Sequence, residues 1–185
     1  YCCVGKKYSA LALQKALAAR RVAATFRATG QTGIMIAGGG IPMDAVVSDF
    51  LSGAAEILSP DAAPDHWDVI EGQGSLFHPA YAAVTLGLLH GSQPDAMVLC
   101  HAVGRTVIDE YADYSVPDLR DCVAQYEQAA RVTNAQARVV GISLNTEGFD
   151  DACALSACDE VGALTGLPCA DLMRHPLDGI LDALP

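Results

Sequence analysis

The stretch CCVGKKYSALAL, residues 2–13, is the main basis for predicting the fold from this sequence. It matches the second half of a phosphate-binding loop, in which N–H groups of glycine and of a helix N-terminus bind phosphate oxygens and a lysine adds positive charge. Gly5 and Lys6 supply the glycine and the lysine, whereas Lys7 stands where such loops carry the hydroxyl that holds magnesium. The leading glycine of the motif would precede Tyr1, so the match is partial and a solvated basic first turn is the alternative. Because the helix dipole opposes a cation at this end, we favour a bound anion.

Apolar runs alternate with helical patterns along the rest of the chain. A helix is expected from Gly5 to about Arg20, and the short β-prone run VAATFRAT follows it. The runs WDVIEGQG, DAMVLCHA and ARVVGISLNT predict further strands, with helices expected at 43–58, 81–90, 118–132 and 150–165 and a short one in LDGILDALP. The glycine-rich segment Gly30–Gly40 is expected to be a loop, or a strand whose backbone approaches another group. This alternation predicts a three-layer α/β fold with a mostly parallel sheet, in a single domain spanning residues 1–185.

Charge and cysteine usage limit the classes of partner and compartment. The formal net charge of −11 argues against nucleic acid and against an anionic membrane surface, because both favour basic patches. An anionic small molecule would need a local cationic pocket. The seven cysteines are odd in number and scattered, so we interpret them as reduced thiols and expect a cytoplasmic protein. No cysteine–histidine spacing suits zinc, and we predict no metal site.

The run VIEGQGSLFHP, residues 69–79, places a carboxylate where a buried strand enters a double-glycine turn. Glu71 is a candidate for binding a metal ion, for binding a substrate ammonium or for proton transfer, and His78 is a second acid–base candidate. The alternative for this run is a tight turn without a ligand, in which His78 caps a neighbouring element. The intervening turn contributes candidate ligand contacts at Gly72, Gln73, Gly74 and Ser75.

Other candidates follow the remaining strands, since ligands of parallel sheets bind at the carboxyl ends of the strands. His101 ends one apolar run, and Arg105 is suited to bidentate recognition of a carboxylate or phosphate. The alternative for His101 is a histidine at the rim whose hydrogen bonds are satisfied within the fold, which is the usual role of a lone histidine. Gln31 and Thr32 offer amide and hydroxyl groups, although a simple turn explains them almost as well. Asn145 ends the last apolar run.

Several long motifs together resemble one known family. They are CCVGKKYSALAL, FRATGQTGIMIAGGGIPMDAVVSDFLSGAAE, DHWDVIEGQGSLFHPAY, LGLLHGSQPDAMVLCHAVGR and VVGISLNT. They resemble the C-terminal P-loop domain of a bacterial family long labelled as of unknown function, whose members are associated with D-glutamate N-acetyltransferase activity in D-glutamate catabolism. The phosphate loop and the Glu-Gly-x-Gly turn are more remotely similar to dethiobiotin synthetase. Family members carry a further N-terminal, Rossmann-like domain, so the resemblance implies that this chain is the C-terminal part of a longer protein.

The resemblance implies a role for each candidate in acetyl transfer from acetyl-CoA to an acidic D-amino acid. Glu71, helped by His78 or His101, would be the base, and Arg105 would bind a substrate carboxylate. The remaining contacts would hold the coenzyme or the substrate: Gly5, Lys6, Lys7, Gly72, Gln73 and Gly74 for the former, and Gln31, Thr32, Ser75 and Asn145 for the latter.

Two other functions are left open by the residues. One is an ATP-dependent ligase, in which Lys6 stabilises the γ-phosphate and Glu71 binds Mg²⁺ or substrate. The other is a nucleotide-binding module without catalytic activity. Magnesium dependence would separate the ligase from the acetyltransferase. The expected partners are a small anionic substrate and further copies of the chain in a homo-oligomer.

Overall fold

A computed structural model describes residues 4–185 of the chain. The first three residues, with Cys2 and Cys3 of the predicted loop, lie outside the described part. Two compact units are distinguished, which we call the N-terminal unit, Lys6–Pro94, and the C-terminal unit, Asp95–Pro185 together with Val4 and Gly5. The prediction of a single domain stays a prediction.

The N-terminal unit is built on two parallel strands. Its elements are α1 (Lys6–Ala19), β1 (Ala23–Arg27), α2 (Gln31–Ala37), α3 (Leu51–Leu58), β2 (His66–Ile70) and α4 (Ala82–Ser92). β1 and β2 pair in parallel, with Arg27 opposite Ile70 at their carboxyl ends. α1 packs against both strands. The two strands therefore deliver the segments that follow them to the same edge of the sheet.

A small hydrophobic core joins α3 and α4. Its buried residues are Met43, Leu51, Ala55 and Leu88. Two glycines of α4 permit this close packing: a Cβ at Gly87 would lie 2.6 Å from the Cβ of Leu51, and one at Gly91 would overlap the carbonyl of Ser52. Packing of this density has no room for larger side chains at those two positions.

The glycine-rich segment after β1 is helical over Gln31–Ala37, and over that range our expectation of a loop or strand was wrong. α2 covers Gln31–Ala37, with Gly30 as its N-cap and Gly38 as its C-cap in the left-handed conformation, φ +74°. The N–H of Gly38 donates to the Ile34 carbonyl at 2.8 Å. Glycine is favoured at such a C-terminal position, so two of the glycines mark the ends of the helix and do not interrupt it.

The helix predicted at 43–58 is confirmed only in its second half. Two 3₁₀ turns, Met43–Ala45 and Ser48–Phe50, precede α3. The N–H of Met43 donates to the Thr29 carbonyl at 2.9 Å, which ties this segment to the end of β1. A tertiary contact of this kind overrides local helix propensity.

The C-terminal unit contains a three-stranded parallel sheet in the order β3–β6–β7. Its elements are β3 (Ala96–Ala102), β4 (Val107–Ile108), β5 (Tyr111–Ser115), α5 (Leu119–Ala130), β6 (Arg138–Asn145), α6 (Asp151–Thr165), β7 (Cys169–Ala170) and α7 (Asp178–Asp182). The central strand β6 is buried over most of its length. Asp118 and Asp150 cap α5 and α6 by accepting backbone N–H bonds. The antiparallel pair β4–β5 and the short strand β7 were not predicted.

The described elements confirm the predicted α/β class with parallel strand pairing. Over residues 4–185, no helix is both long enough and apolar enough to cross a membrane.

Candidate functional site

The lysine of the phosphate-loop motif lies against the Glu-Gly-x-Gly turn. Lys6 is the first residue of α1, and its Nζ donates to the Gly74 carbonyl at 2.5 Å. A Cβ at Gly72 would lie 3.3 Å from Lys6 Cδ, so the lysine stem runs across a turn that has no side chain in its path. Two motifs that are 68 residues apart in sequence are therefore adjacent in the N-terminal unit.

The residue before α1 has the backbone conformation of a tight loop. Gly5 has φ +87°, a region that residues with a Cβ rarely adopt, and the space into which its side chain would point is open among the described residues. Lys7 directs its Nζ at the ring of Tyr8, 4.7 Å from the centroid, which is a cation–π contact. The fit to a phosphate group thus rests on Gly5, Lys6 and the first turn of the 14-residue helix α1.

Glu71 is buried at the carboxyl end of β2, with 6% of its surface exposed. Its Oε2 accepts hydrogen bonds from the backbone N–H of Thr29 and of Gly30, both at 3.1 Å. The Thr29 hydroxyl donates to the Glu71 carbonyl at 2.8 Å. These bonds form because β1 and β2 are parallel neighbours, so their ends meet at one edge.

The turn after Glu71 is fixed to the start of α4. Thr85 Oγ1 donates to the Gln73 carbonyl at 2.7 Å. Gly74 has φ +64°, and a Cβ there would lie 2.5 Å from the Tyr81 carbonyl oxygen. Ser75 is buried, and its hydroxyl accepts from the Phe77 N–H at 3.3 Å within a local turn. The backbone of this turn is therefore set by packing before any ligand binds.

His78 makes contacts that stabilise the start of α4. Its ring is 1% exposed, its Nδ1 accepts from the Ala80 N–H at 3.1 Å, and the ring packs on Tyr81 with centroids 4.4 Å apart. Its carbonyl accepts from the Ala82 N–H at 3.1 Å. Because Nδ1 is an acceptor, the neutral ring carries its proton on Nε2. The geometry favours the capping interpretation over an acid–base role.

Gln31 and Thr32 lie in the first turn of α2, and both side chains are exposed. Gly30 directly precedes them in the chain, and its N–H donates to Glu71 Oε2 at 3.1 Å. A small side chain is also needed one residue further on, at Gly33, where a Cβ would overlap Glu71 Oε2.

In the C-terminal unit, His101 and Arg105 lie at and beyond the end of β3. His101 is 9% exposed, and burial together with the positive charge of Arg105 lowers its pKa below 6.5. The imidazole is therefore neutral at pH 7 and able to accept a proton. Arg105 Nη1 lies 3.5 Å from Asp109 Oδ2. Arg105 also lines an open concavity formed by Ala102–Ala112.

Asn145 ends β6, beside the end of β3. Its carbonyl accepts from the Val103 N–H at 3.0 Å, and its side-chain oxygen accepts from the Glu147 N–H at 2.9 Å. The side chain therefore closes a turn of the kind that asparagine commonly stabilises.

Asp171 is a buried carboxylate that the sequence did not indicate. It is 5% exposed and accepts hydrogen bonds from the N–H and the hydroxyl of Thr146 and from the Met173 N–H. Burial acts to raise the pKa of Asp171, but these hydrogen bonds outweigh it and hold the pKa below its usual value. The preceding strand β7 has two residues, too few to show an alternating pattern.

The predicted residues thus fall into two described groups. The N-terminal unit brings together Lys6, Glu71, Gly72, Gln73 and Gly74. The C-terminal unit holds His101, Arg105 and Asn145. Across residues 4–185, no three His, Cys, Asp or Glu side chains are clustered so as to hold a metal ion.

Comparisons with known proteins agree on one family. A model of the family described as "Domain of unknown function (DUF1611_C) P-loop domain" matches residues 1–181. A protein from Pseudoalteromonas sp. named D-glutamate N-acetyltransferase is 48% identical over 180 residues, which cover 97% of this chain and 54% of that protein. One of the same name from Tritonibacter scottomollicae is 48% identical over 183 residues, covering 99% of this chain and 55% of that protein.

A solved structure supports the same fold. The crystal structure of a DUF1611 family protein from Anabaena variabilis ATCC 29413 matches with a TM-score of 0.93 and 39% identity, over 98% of this chain and 54% of that one. The chain therefore spans about half the length of the relatives it matches.

Proposed function

We propose, for a chain that belongs to the family described as "Domain of unknown function (DUF1611_C) P-loop domain", that the complete protein transfers an acetyl group to the amino group of D-glutamate. The relatives that carry this activity in their names are 48% identical to the chain over nearly its whole length. The observation that carries the proposal is the hydrogen bond from Lys6 Nζ to the Gly74 carbonyl. This bond places Lys6, a cation suited to an anionic ligand, next to the turn that follows the buried carboxylate of Glu71.

Acetyl-CoA is the donor that we propose, with its phosphate groups held at the start of α1. Gly5, Lys6 and Lys7 offer a tight backbone turn, two ammonium groups and the N-terminus of a 14-residue helix. A phosphate oxygen would replace the Gly74 carbonyl as the acceptor for Lys6, since charge-assisted hydrogen bonds are stronger than those to a neutral carbonyl.

Glu71 is the base in this proposal. It takes a proton from the substrate ammonium, which leaves a lone pair on nitrogen to attack the acetyl carbonyl carbon. The C–N bond forms, the C–S bond of the thioester breaks, and the nitrogen loses its second proton, which the departing thiolate takes up to leave as the coenzyme thiol. N–H groups of the Gly72–Gly74 turn are suited to stabilise the oxyanion that forms between these two events.

We propose supporting roles for His101 and Arg105, based on the chemistry of their side chains. Because its pKa is lowered, His101 is unprotonated at neutral pH and offers a ring nitrogen as a second base, and Arg105 is suited to a substrate carboxylate. We further propose a cytoplasmic location, which is supported by five free cysteine thiols among the described residues.

The test is turnover by the full-length protein and by Glu71→Gln. In this variant the amide oxygen keeps the two N–H bonds from Thr29 and Gly30, while an NH₂ group replaces the second carboxylate oxygen. The fold should therefore persist while the proton acceptor is lost. Formation of N-acetyl-D-glutamate is followed by mass spectrometry, with L-glutamate and with ATP plus Mg²⁺ as separate arms.

We expect kcat to fall by about 10²–10⁴ in Glu71→Gln, the usual cost of removing a general base. The matched control is Glu56→Gln, which changes an exposed carboxylate of α3 in the same unit and should behave like the parent. Product formation that requires ATP and Mg²⁺ would replace the proposal with a ligase. Parental kinetics in Glu71→Gln would remove Glu71 from the role of base.

A further inference from the structure

We infer that Thr29 and Gly33 are positioning residues that fix one oxygen of Glu71 and leave the other to react. The inference rests on the proposed function for its kinetic consequence only, because the contacts that carry it are measurable without any substrate.

Thr29 holds Glu71 at two separate points. It is fully buried, with 0% of its surface exposed. Its hydroxyl donates to the Glu71 carbonyl at 2.8 Å, and its backbone N–H donates to Glu71 Oε2 at 3.1 Å. Its own carbonyl accepts from the Met43 N–H at 2.9 Å. One residue therefore fixes both the main chain and the carboxylate of Glu71, and is itself fixed by a third contact.

The two carboxylate oxygens of Glu71 have different surroundings. Oε2 accepts from Gly30 as well as from Thr29, so it has two donors. Among the described residues, Oε1 accepts no hydrogen bond. A carboxylate oxygen that already accepts from two N–H donors is a poor proton acceptor, whereas its neighbour keeps its lone pairs available. The reacting oxygen is therefore Oε1.

Gly33 makes room for this arrangement. It lies inside α2, where alanine is favoured over glycine, yet a Cβ would overlap Glu71 Oε2 and would lie 3.1 Å from its carboxyl carbon. Any larger side chain would push the carboxylate off its two donors. Glycine at this position disfavours the helix and keeps the orientation of Glu71.

The proton balance of the step follows from this geometry. An N–H bond of the substrate ammonium breaks and an O–H bond forms at Oε1, while Oε2 stays bonded to Thr29 and Gly30. The two amide donors keep the torsion of the carboxylate constant between the ionised and protonated forms. We call the two N–H bonds from Thr29 and Gly30 to Oε2, together with the space left by Gly33, the Glu71 clamp. Loss of this clamp should lower kcat more than it raises KM, because misplacement of a base affects the transition state first.

The first experiment tests the clamp without substrate, in the full-length protein. Gly33→Ala is compared with Gly53→Ala, which replaces a glycine inside α3 whose Cβ would meet no atom within 4 Å. Both substitutions are also made in a Glu71→Ala background. We expect Gly33→Ala to lower the melting temperature of the parent and to lose most of that effect when the Glu71 side chain is absent. Gly53→Ala should raise the melting temperature in both backgrounds.

The second experiment measures kinetics. Thr29→Val keeps the shape and the N–H but removes the hydroxyl, and we expect about a tenfold or larger fall in kcat with KM changed by no more than about twofold. Thr29→Ser keeps the hydroxyl that valine lacks, and its kcat should be close to that of the parent. Gly33→Ala should also lower kcat, whereas Gly53→Ala should match the parent.

The outcomes separate this inference from the proposed function. If the parent transfers no acetyl group but Gly33 and Glu71 remain coupled in the melting experiment, the proposed function fails and the clamp stands. If the effect of Gly33→Ala is the same with and without the Glu71 side chain, the clamp is wrong whatever the activity. Equal kcat values for Thr29→Val and the parent would leave Thr29 with no positioning role. If the valine variant fails to fold, Thr29→Ala, which also lacks the hydroxyl, takes its place in the comparison with Thr29→Ser.

Discussion

Alanine in place of Gly74 tests how firmly the Glu-Gly-x-Gly turn is fixed. Gly74 has φ +64°, and a Cβ would lie 2.5 Å from the Tyr81 carbonyl oxygen and 2.7 Å from Thr85 Oγ1. A left-handed backbone costs a residue with a Cβ about 1–2 kcal/mol, and forcing an atom into a packed region costs about 1–3 kcal/mol. We therefore expect Gly74→Ala to lower the free energy of unfolding by about 2–5 kcal/mol.

Gly38→Ala is the matched control for the backbone term. Gly38 has φ +74° in the same unit, and a Cβ there would meet no atom within 4 Å. Only the conformational cost of about 1–2 kcal/mol applies to it. Urea denaturation measures both variants, and the fluorescence of Trp67, the only tryptophan in the sequence, reports from β2 itself.

The test compares how much Gly74→Ala and Gly38→Ala each lower the free energy of unfolding. A loss in Gly74→Ala that exceeds the loss in Gly38→Ala by about 1–3 kcal/mol would support the close approach of the turn to α4. Equal losses would refute it, because the contacts with Tyr81 and Thr85 would then have no energetic effect. The same substitution should weaken ligand binding, since it displaces the Gly72–Gly74 turn whose N–H groups the proposal assigns to the ligand.

Three further predictions concern charge. Lys6→Ala should weaken acetyl-CoA binding by about 1–3 kcal/mol in titration calorimetry, and unchanged affinity would reduce the motif to a solvated helix start. Turnover should survive EDTA, because Lys7 occupies the position of the magnesium-binding hydroxyl; loss of activity that Mg²⁺ restores would favour the ligase. The pKa of His101 is lowered on folding, so the unfolded chain takes up a proton first as the pH falls below 6.5. Stability should therefore decline with acidification below that pH, and more steeply in the parent than in His101→Asn; parallel melting curves across this range would contradict it.

The strands and most helices could be predicted because their signals are local. β1, β2, β3 and β6 each coincide with an apolar run, and α1 follows the basic first turn as expected. The proximity of Lys6 to the Glu-Gly-x-Gly turn was also accessible, since both follow from the rule that ligand-binding loops gather at the carboxyl ends of parallel strands.

The elements that were missed lack such signals or carry opposing ones. β5 is exposed over most of its length and rich in charge, so no apolar alternation marks it. The segment of α2 was assigned to a loop or a strand because glycine is counted against a helix, whereas here glycine caps both ends and admits a carboxylate in the middle. A glycine count cannot distinguish a break in a helix from a close approach to it.

The orientation of the Glu71 carboxylate could not be predicted from the sequence. That a carboxylate follows a buried strand is visible in seven consecutive letters, VIEGQGS. Which of its oxygens is available depends on Thr29, 42 residues earlier, and on Gly33 in a helix that was not predicted. Both contacts exist only because β1 and β2 are parallel and in register, with Arg27 opposite Ile70. A shift of the register by one residue would turn the side chain of Glu71 to the other face of the sheet and remove both donors from its reach. The chemistry assigned to Glu71 is thus set by strand pairing, which no local pattern encodes.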